Sequence, residues 1–364
     1  MSELSDYFNE LEDPRAGNVH YRLGDLLILM VAASLCGADS ASDFALFAET
    51  RMTVLNRLVP YTRAPSHDTF SRLLRLLDPK SFGRVFEIFA AGFAKALSES
   101  GGVANAAEDG IVAIDGKALR RAYERGLAQS PPLVVSAFAT ETKLCLAASS
   151  ALKANEIEAA LRVVEMLDLT GQIITADALH CHHRMAETIR AKKGDYVLAL
   201  KGNRTYWMPE ALRQFDHSTA KTSAKTFAHE HDRTEWRKAE VIAVEKPLMQ
   251  GHVAFIRITS ARNSDQPFIR YYMASQLFTA EQALRITRSH WQIENNLHWM
   301  LDVHLHEDDN RARKDNAPAN IAILKRLARN ILQNADKPKV PISHRIKKCS
   351  WDNAYLISAL VHMR

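Results

Sequence analysis

Apolar positions change their spacing twice along the chain. Leu23 to Leu35 is apolar almost all round, which predicts a buried helix. A second helix is expected over about 41–58. The stretch Ala64-Pro65-Ser66-His67-Asp68-Thr69-Phe70 predicts another helix start. Ser66 is a fitting N-cap, and Asp68 falls in the first turn, where the helix dipole favours an acid. Asp78-Pro79 ends that helix and begins the next. Short helices joined by tight turns can form a helix-turn-helix DNA reader or a plain bundle. Residues 98–110, rich in Gly, Ala and Ser, read as a linker.

The period then shortens. Ile111 to Ile114 is a short β run ending in Asp115-Gly116-Lys117. Leu133 to Thr140 and Lys143 to Ser149 predict two more strands, and Glu156 to Leu167 has helical spacing. Gln172 to Thr175 predicts a strand that leads into Ala176-Asp177. Arg184 to Lys192 predicts a helix with Gly194 as its C-cap. Tyr196 to Leu200 is a fifth strand. This order predicts an α/β fold with a ribonuclease H-like core. Residues 205–268 break the pattern. A polar segment, 216–237, precedes two β-like runs, 240–244 and 253–259, and suggests a partly β insertion. Arg270 to Ser275 returns to the sheet, and one long helix is expected over 280–305.

Composition is ordinary for a globular protein: 47% apolar and 24% charged residues in 364, with a net charge of +5. The distribution says more. From Arg311 to Lys348 there are 11 Lys and Arg against 2 Asp and Glu, a local balance of +9. That asymmetry suits a surface laid on a polyanion, or a merely solvated C-terminal region. The four cysteines form no CxxC pair and fit a reducing cytoplasm. The longest apolar run, Leu26 to Cys36, is too short for a bilayer, and no signal peptide is expected.

The candidate chemistry lies in acids. Asp115 and Asp177 each follow an apolar strand, where α/β sheets bind ligands. Two such carboxylates can share Mg²⁺, which takes oxygen ligands and keeps waters for phosphate. A strand-end Asp can equally be a turn residue. Glu294 is the third acid. On a helix, Ile286, Ile293, Leu297 and Met300 form one apolar stripe, with Glu294 at its edge and His298 and Asp302 following on the same side. Lys117, Arg120, Arg121 and Lys201 sit close to these acids in sequence and can hold flanking phosphates, or can be solvated charge. His180-Cys181-His182-His183 groups zinc-capable ligands, but neighbours on a helix start splay apart. No GxGxxG or P-loop motif occurs, which argues against nucleotide hydrolysis.

Several segments together resemble the H-repeat-associated transposases, bacterial insertion-sequence enzymes of the DDE class. They are Ala113-Ile114-Asp115-Gly116-Lys117, Ala176-Asp177-Ala178-Leu179, Asp195 through Asn203, His290 through Asn295, Leu297 through Val303, and Glu307-Asp308 through Arg311. Phe8 to Arg15, Leu23 to Leu35 and Pro65 to Phe70 resemble the family's N-terminal associated domain. The likeness spans nearly the whole chain in the family's order. It implies a DDE triad of Asp115, Asp177 and Glu294 holding Mg²⁺, with Mn²⁺ as substitute, and DNA cleavage followed by strand transfer. It also implies double-stranded DNA as partner (terminal inverted repeats and target), a homodimer on that DNA, no membrane, and a cytoplasmic, nucleoid-associated bacterial protein.

Lys117, Arg120, Arg121, Lys201, Asn203, Arg288, His298, Arg311 and Arg313 are the expected DNA contacts. The wider group carries a Tyr and an Arg before the Glu and a Lys seven residues after it. Here those places hold Thr287, His290 and Leu301, so Arg288 or His298 is expected to clamp phosphate instead. Glu307, also in a matched segment, is a rival third acid. The expected division is a helical N-terminal domain over 1–100, a catalytic core over 110–310 with the insertion at about 205–268, and a basic region over 311–364. An inactive DNA-binding relic, or a nuclease without strand transfer, would carry the same acids.

Overall fold

The computed structural model describes residues 2–361 except 16, 18, 57–58, 100–109, 124–129, 152–154, 220, 231–232, 264 and 337–338. Most of the expected linker therefore lies outside the described residues. Helices come first: α1 (Ser2–Asn9), α2 (Leu23–Leu35), α3 (Ala41–Thr50), α4 (Met52–Leu55), α5 (His67–Leu76) and α6 (Pro79–Glu99). The single helix expected over 41–58 breaks at Arg51. Ser40 starts α3 through a reciprocal capping box with Asp43. Ser66 is the N-cap residue of α5, but its hydroxyl turns to Thr69 at 3.2 Å and takes no helix N–H.

Then follow β1 (Gly110–Ala118), β2 (Leu133–Ala139), β3 (Leu144–Ala151), α7 (Glu156–Met166), β4 (Gln172–Ala176), α8 (His183–Ala191) and β5 (Asp195–Leu200). Next are α9 (Trp207–His217), β6 (Thr222–Glu230), β7 (Arg233–Ala243), β8 (Ala254–Arg262) and β9 (Phe268–Ala274). The chain closes with α10 (Ala280–Ser289), a π-helical turn (Ile293–His298), α11 (Trp299–Val303), α12 (Ala317–Asn334), α13 (Ile342–Trp351) and α14 (Asn353–Val361).

Among the described residues the strands form one nine-stranded sheet, ordered β3-β2-β1-β4-β5-β9-β8-β7-β6. The β1, β4 and β5 neighbours are parallel and the other pairs antiparallel. Both faces of the parallel centre are covered, as its unbroken apolar runs require. Val112 and Ile114 pack with α7 and α8, whereas Ala113 joins the cluster containing Ile293 and Leu297. The 205–268 segment is no separate subdomain. Its strands continue the same sheet, and β6 arises within the segment read as merely polar.

Two local expectations are corrected. After α8 the left-handed position is Lys193, at φ 59°, and not Gly194. Gly194 is needed for space, because a Cβ there would stand 2.9 Å from that of Leu169. The helix expected over 280–305 is broken between α10 and the π turn.

The basic C-terminal stretch does not lie on the surface as a strip. In α12, 15 of 18 residues are buried, and the helix packs against α2, α5, α6 and β3. Lys325, Arg326, Arg329 and Arg345 are all buried. Lys325 donates to the His306 carbonyl at 3.0 Å and Arg329 to that of Asn296 at 2.9 Å. Arg345 donates to the Leu332 carbonyl at 2.7 Å, satisfying an orphan acceptor at the end of α12. Arg311, Arg313, Lys314, Lys339, Lys347 and Lys348 remain exposed, so the +9 count overstates the surface charge.

Candidate active site

The register places two acids side by side. Parallel pairing of β1 with β4 ends at Ile114 opposite Ala176, and the next residues are Asp115 and Asp177. Neighbouring strands lie about 4.8 Å apart, so these carboxylates cannot avoid each other. Asp115 is not at the end of its own strand. β1 runs on to Ala118 against β2, with Asp115 opposite Ser136. Asp177 does end β4, and its Oδ1 accepts from Leu179 N–H at 2.9 Å. It therefore serves as a turn residue with one oxygen and leaves the other open.

Glu294 lies on the π turn, which packs against β1, and its charge acts on Asp115. Wider turns of this kind suit an apolar spacing of four, and Ile293, Leu297 and Leu301 are all fully buried. That spacing explains why Leu301, and not Met300, completes the stripe. A Thr175–His290 hydrogen bond of 3.0 Å (Oγ1 to Nδ1) ties the end of α10 to β4.

Burial and neighbouring negative charge act together on Asp115. Burial pushes the Asp115 carboxyl up to about 7, and the charges of Asp177, Glu294 and Glu156 push the same way against one Gly116 N–H. The close ion-pair neighbours of these four acids among the described residues are histidines. His180 Nε2 is 3.4 Å from Glu156 and 4.0 Å from Asp177, and His298 Nδ1 is 3.6 Å from Asp115. Burial pulls His298 down to about 3, helped by the charges of Arg326 and Lys117.

A second acidic cluster lies just behind and is neutralised internally. The Lys117 ammonium is 2.7 Å from Asp302, 2.8 Å from Asp308 and 3.8 Å from Glu307. Glu307 is 1% exposed and pairs at 2.6 Å with the fully buried Arg326, which also donates to Ser136 at 2.8 Å. Lys117 is thus held inside and unavailable to phosphate. Glu307 is engaged in a buried ion pair with Arg326.

The remaining expected DNA contacts scatter around the crevice. Arg120 is exposed, 3.4 Å from Asp308, and Arg121 pairs with Asp309 at 2.9 Å. Arg313 donates to the Arg121 carbonyl at 3.2 Å, and Lys201 and Arg311 are exposed. Asn203 donates to the Ala178 carbonyl and Arg204 to that of Leu179, bracing the Asp177 turn. Arg288 lines a groove of about 850 Å³ that Glu294 also borders. Arg237, Arg262, Arg270 and Trp291 line it too, and Arg270 stacks over Trp291 at 5.4 Å. The sequence reading missed these arginines because they are dispersed over three strands.

The donor chemistry suits a hard cation: carboxylate oxygens with no Lys or Arg ion pair among the described residues. As they stand, no three His, Cys, Asp or Glu side chains among the described residues close on one ion. The 180–183 run disperses. His180 and Cys181 are buried, His182 accepts from Met185 N–H, and His183 meets Trp207 edge-on at 5.1 Å.

A pH effect follows from Asp115. The unfolded carboxyl ionises near 4 and the folded one near 7, so the unfolded chain binds fewer protons between those values and stability falls as pH rises. Each unit is worth about 1.4 kcal/mol, so the cost above pH 7 is on the order of a few kcal/mol. Asp115→Asn should raise the urea midpoint of the chelator-treated protein at pH 8 and change it little at pH 4. Equal shifts at both values would contradict the crowded-acid account.

The transposase DDE domain family matches residues 107–331, and a model described as DDE_Tnp_1-associated matches residues 5–90. The chain belongs to the transposase DDE domain family. Among its relatives, "H repeat-associated putative transposase YhhI" of Escherichia coli (strain K12) is 29% identical over 99% of this chain and 98% of that protein. "Putative protein YbfL" of the same strain is 30% identical over the same shares. A solved piggyBac transposase synaptic complex with hairpin DNA is 12% identical, with a TM-score of 0.42 over 98% of this chain and 79% of that one. The resemblance drawn from the sequence segments is borne out. No described helix is long and apolar enough to cross a membrane.

Proposed function

We propose that the chain cuts and joins DNA with Asp115, Asp177 and Glu294 around Mg²⁺ or Mn²⁺, within a ribonuclease H-like core spanning 110–310. The observation that carries this reading is the group of acids with no Lys or Arg ion pair among the described residues, beside a cluster whose acids pair with Lys117 or Arg326. Like charges held close together repel unless a cation joins them. The β3-β2-β1-β4-β5 order, with both aspartates on its central pair, agrees with the proposed core. A divalent cation supplies charge for the attacking and leaving oxygens of a phosphodiester. Asp115 and Asp177 hold their carboxylates in place through strand register and the Leu179 turn, and the π turn supplies Glu294. Arg270 and Arg288 then hold the DNA backbone leading to Glu294, with Arg120, Arg121, Arg313 and Lys201 on the flanks.

The test is nicking of supercoiled DNA carrying the gene's own flanking sequences, with Mg²⁺, Mn²⁺ or chelator. Metal-dependent nicks at the element ends, followed by joining, support the reading. Cleavage without joining would make the protein a nuclease. A chain that binds those ends and never nicks them in either metal is a DNA-binding relic.

The groove gives a second expected outcome. Arg270→Gln and Arg288→Gln should each weaken binding to all DNA alike and flatten its salt dependence by about one unit of slope per lost phosphate contact. An unchanged slope would remove the groove from the DNA path.

A further inference from the structure

We propose that Glu156 is a fourth carboxylate of the crevice and, with Asp177, a ligand for a second divalent cation. This rests on the reading that Asp115 and Asp177 bind such a cation. Glu156 is the first residue of α7, one step after the N-cap Asn155. Asn155 accepts from Glu158 N–H, so the Glu156 carboxylate is not used in capping the helix. It lies instead over the backbone of Gly116, the neighbour of Asp115. A Cβ on Gly116 would stand 2.4 Å from Glu156 Oε1 and 2.8 Å from its carboxyl carbon. The glycine of Asp115-Gly116 is therefore what admits a carboxylate beside Asp115.

The second observation is His180. Its side chain is fully buried, its Nε2 lies 3.4 Å from Glu156 Oε1 and 4.0 Å from Asp177 Oδ1, and neither ring nitrogen has a hydrogen-bond partner among the described residues. Buried ring nitrogens are costly to leave unmade, so an unpartnered imidazole between two carboxylates marks a place where a ligand belongs. Glu156 has no Lys or Arg ion pair among the described residues, although Lys117 and Arg326 each serve acids of the neighbouring cluster. Two cations suit a phosphodiester reaction, in which the attacking and leaving oxygens both need charge stabilisation. Asp177 and Glu156 would hold the second ion, beside the one held by Asp115.

Manganese binding to the full chain tests this without any cleavage assay, by loss of the free Mn²⁺ electron-spin-resonance signal. Wild type should take up two ions. Glu156→Gln should weaken one of them at least about tenfold and leave the other, and Asp115→Asn should weaken both. Gly116→Ala should reproduce the Glu156→Gln loss by displacing the carboxylate, with far-UV circular dichroism showing that both variants are folded. It also carries the test if Glu156→Gln does not fold. A wild type that binds Mn²⁺ with Asp115→Asn defective but Glu156→Gln and Gly116→Ala unaffected overturns this inference alone. A wild type that takes up no Mn²⁺ overturns both it and the reading beneath it.

Discussion

Replacing Asp115 by Asn should cut DNA cleavage by on the order of 10³-fold or more while leaving DNA binding nearly intact. Asn keeps the shape and removes the charge that holds a hard cation. Metal stabilisation of the transition state is worth several kcal/mol, and each 1.4 kcal/mol is about tenfold in rate. Asp177→Asn and Glu294→Gln should behave alike. Binding can even tighten, because a carboxylate that repels phosphate is gone. The measurement is cleavage and affinity on the same element-end DNA, wild type and variants side by side. A variant that cuts as well as wild type would remove its acid from the mechanism.

Glu307→Ala should instead destabilise the whole protein by roughly 3–5 kcal/mol, the usual cost of stranding one member of a buried ion pair. Its partner Arg326 is fully buried, and Lys117 leans on the same carboxylate at 3.8 Å. Arg326→Met with Glu307→Met should recover much of the loss, since no charge is then left unpaired. Exposed Glu294→Gln should move the urea midpoint by no more than an ordinary surface change, about 0.5 kcal/mol. Urea unfolding of the four proteins decides between the two candidate third acids. A stable Glu307→Ala that has lost cleavage would exchange their roles.

The acids at β1 and β4 were legible in the sequence because strand burial on both faces forces apolar runs, which make the first carboxylate conspicuous. The helical N-terminal region was legible for the same reason, through the all-round apolar α2. Three features were hidden. β6 is an outer strand with mostly exposed positions, so nothing in 222–230 alternates. The π turn looks like ordinary helix until the spacing of Ile293, Leu297 and Leu301 is seen buried. Lys117, Arg326 and Arg345 count as surface charge by residue type, yet each is buried with fixed partners. Glu156 entered the sequence reading only as the first residue of a helical run, and its position over Gly116 is visible only in the fold.

The most direct test of the acid crevice is a crystal of the protein on its end DNA grown with Mn²⁺, read by anomalous scattering. The account predicts a peak within ligand distance of the Asp115 and Asp177 carboxylates, about 2.0–2.2 Å for so hard an ion, with Glu294 drawn towards it. A peak at Asp302, Glu307 and Asp308 instead, or none beside Asp115, would contradict it.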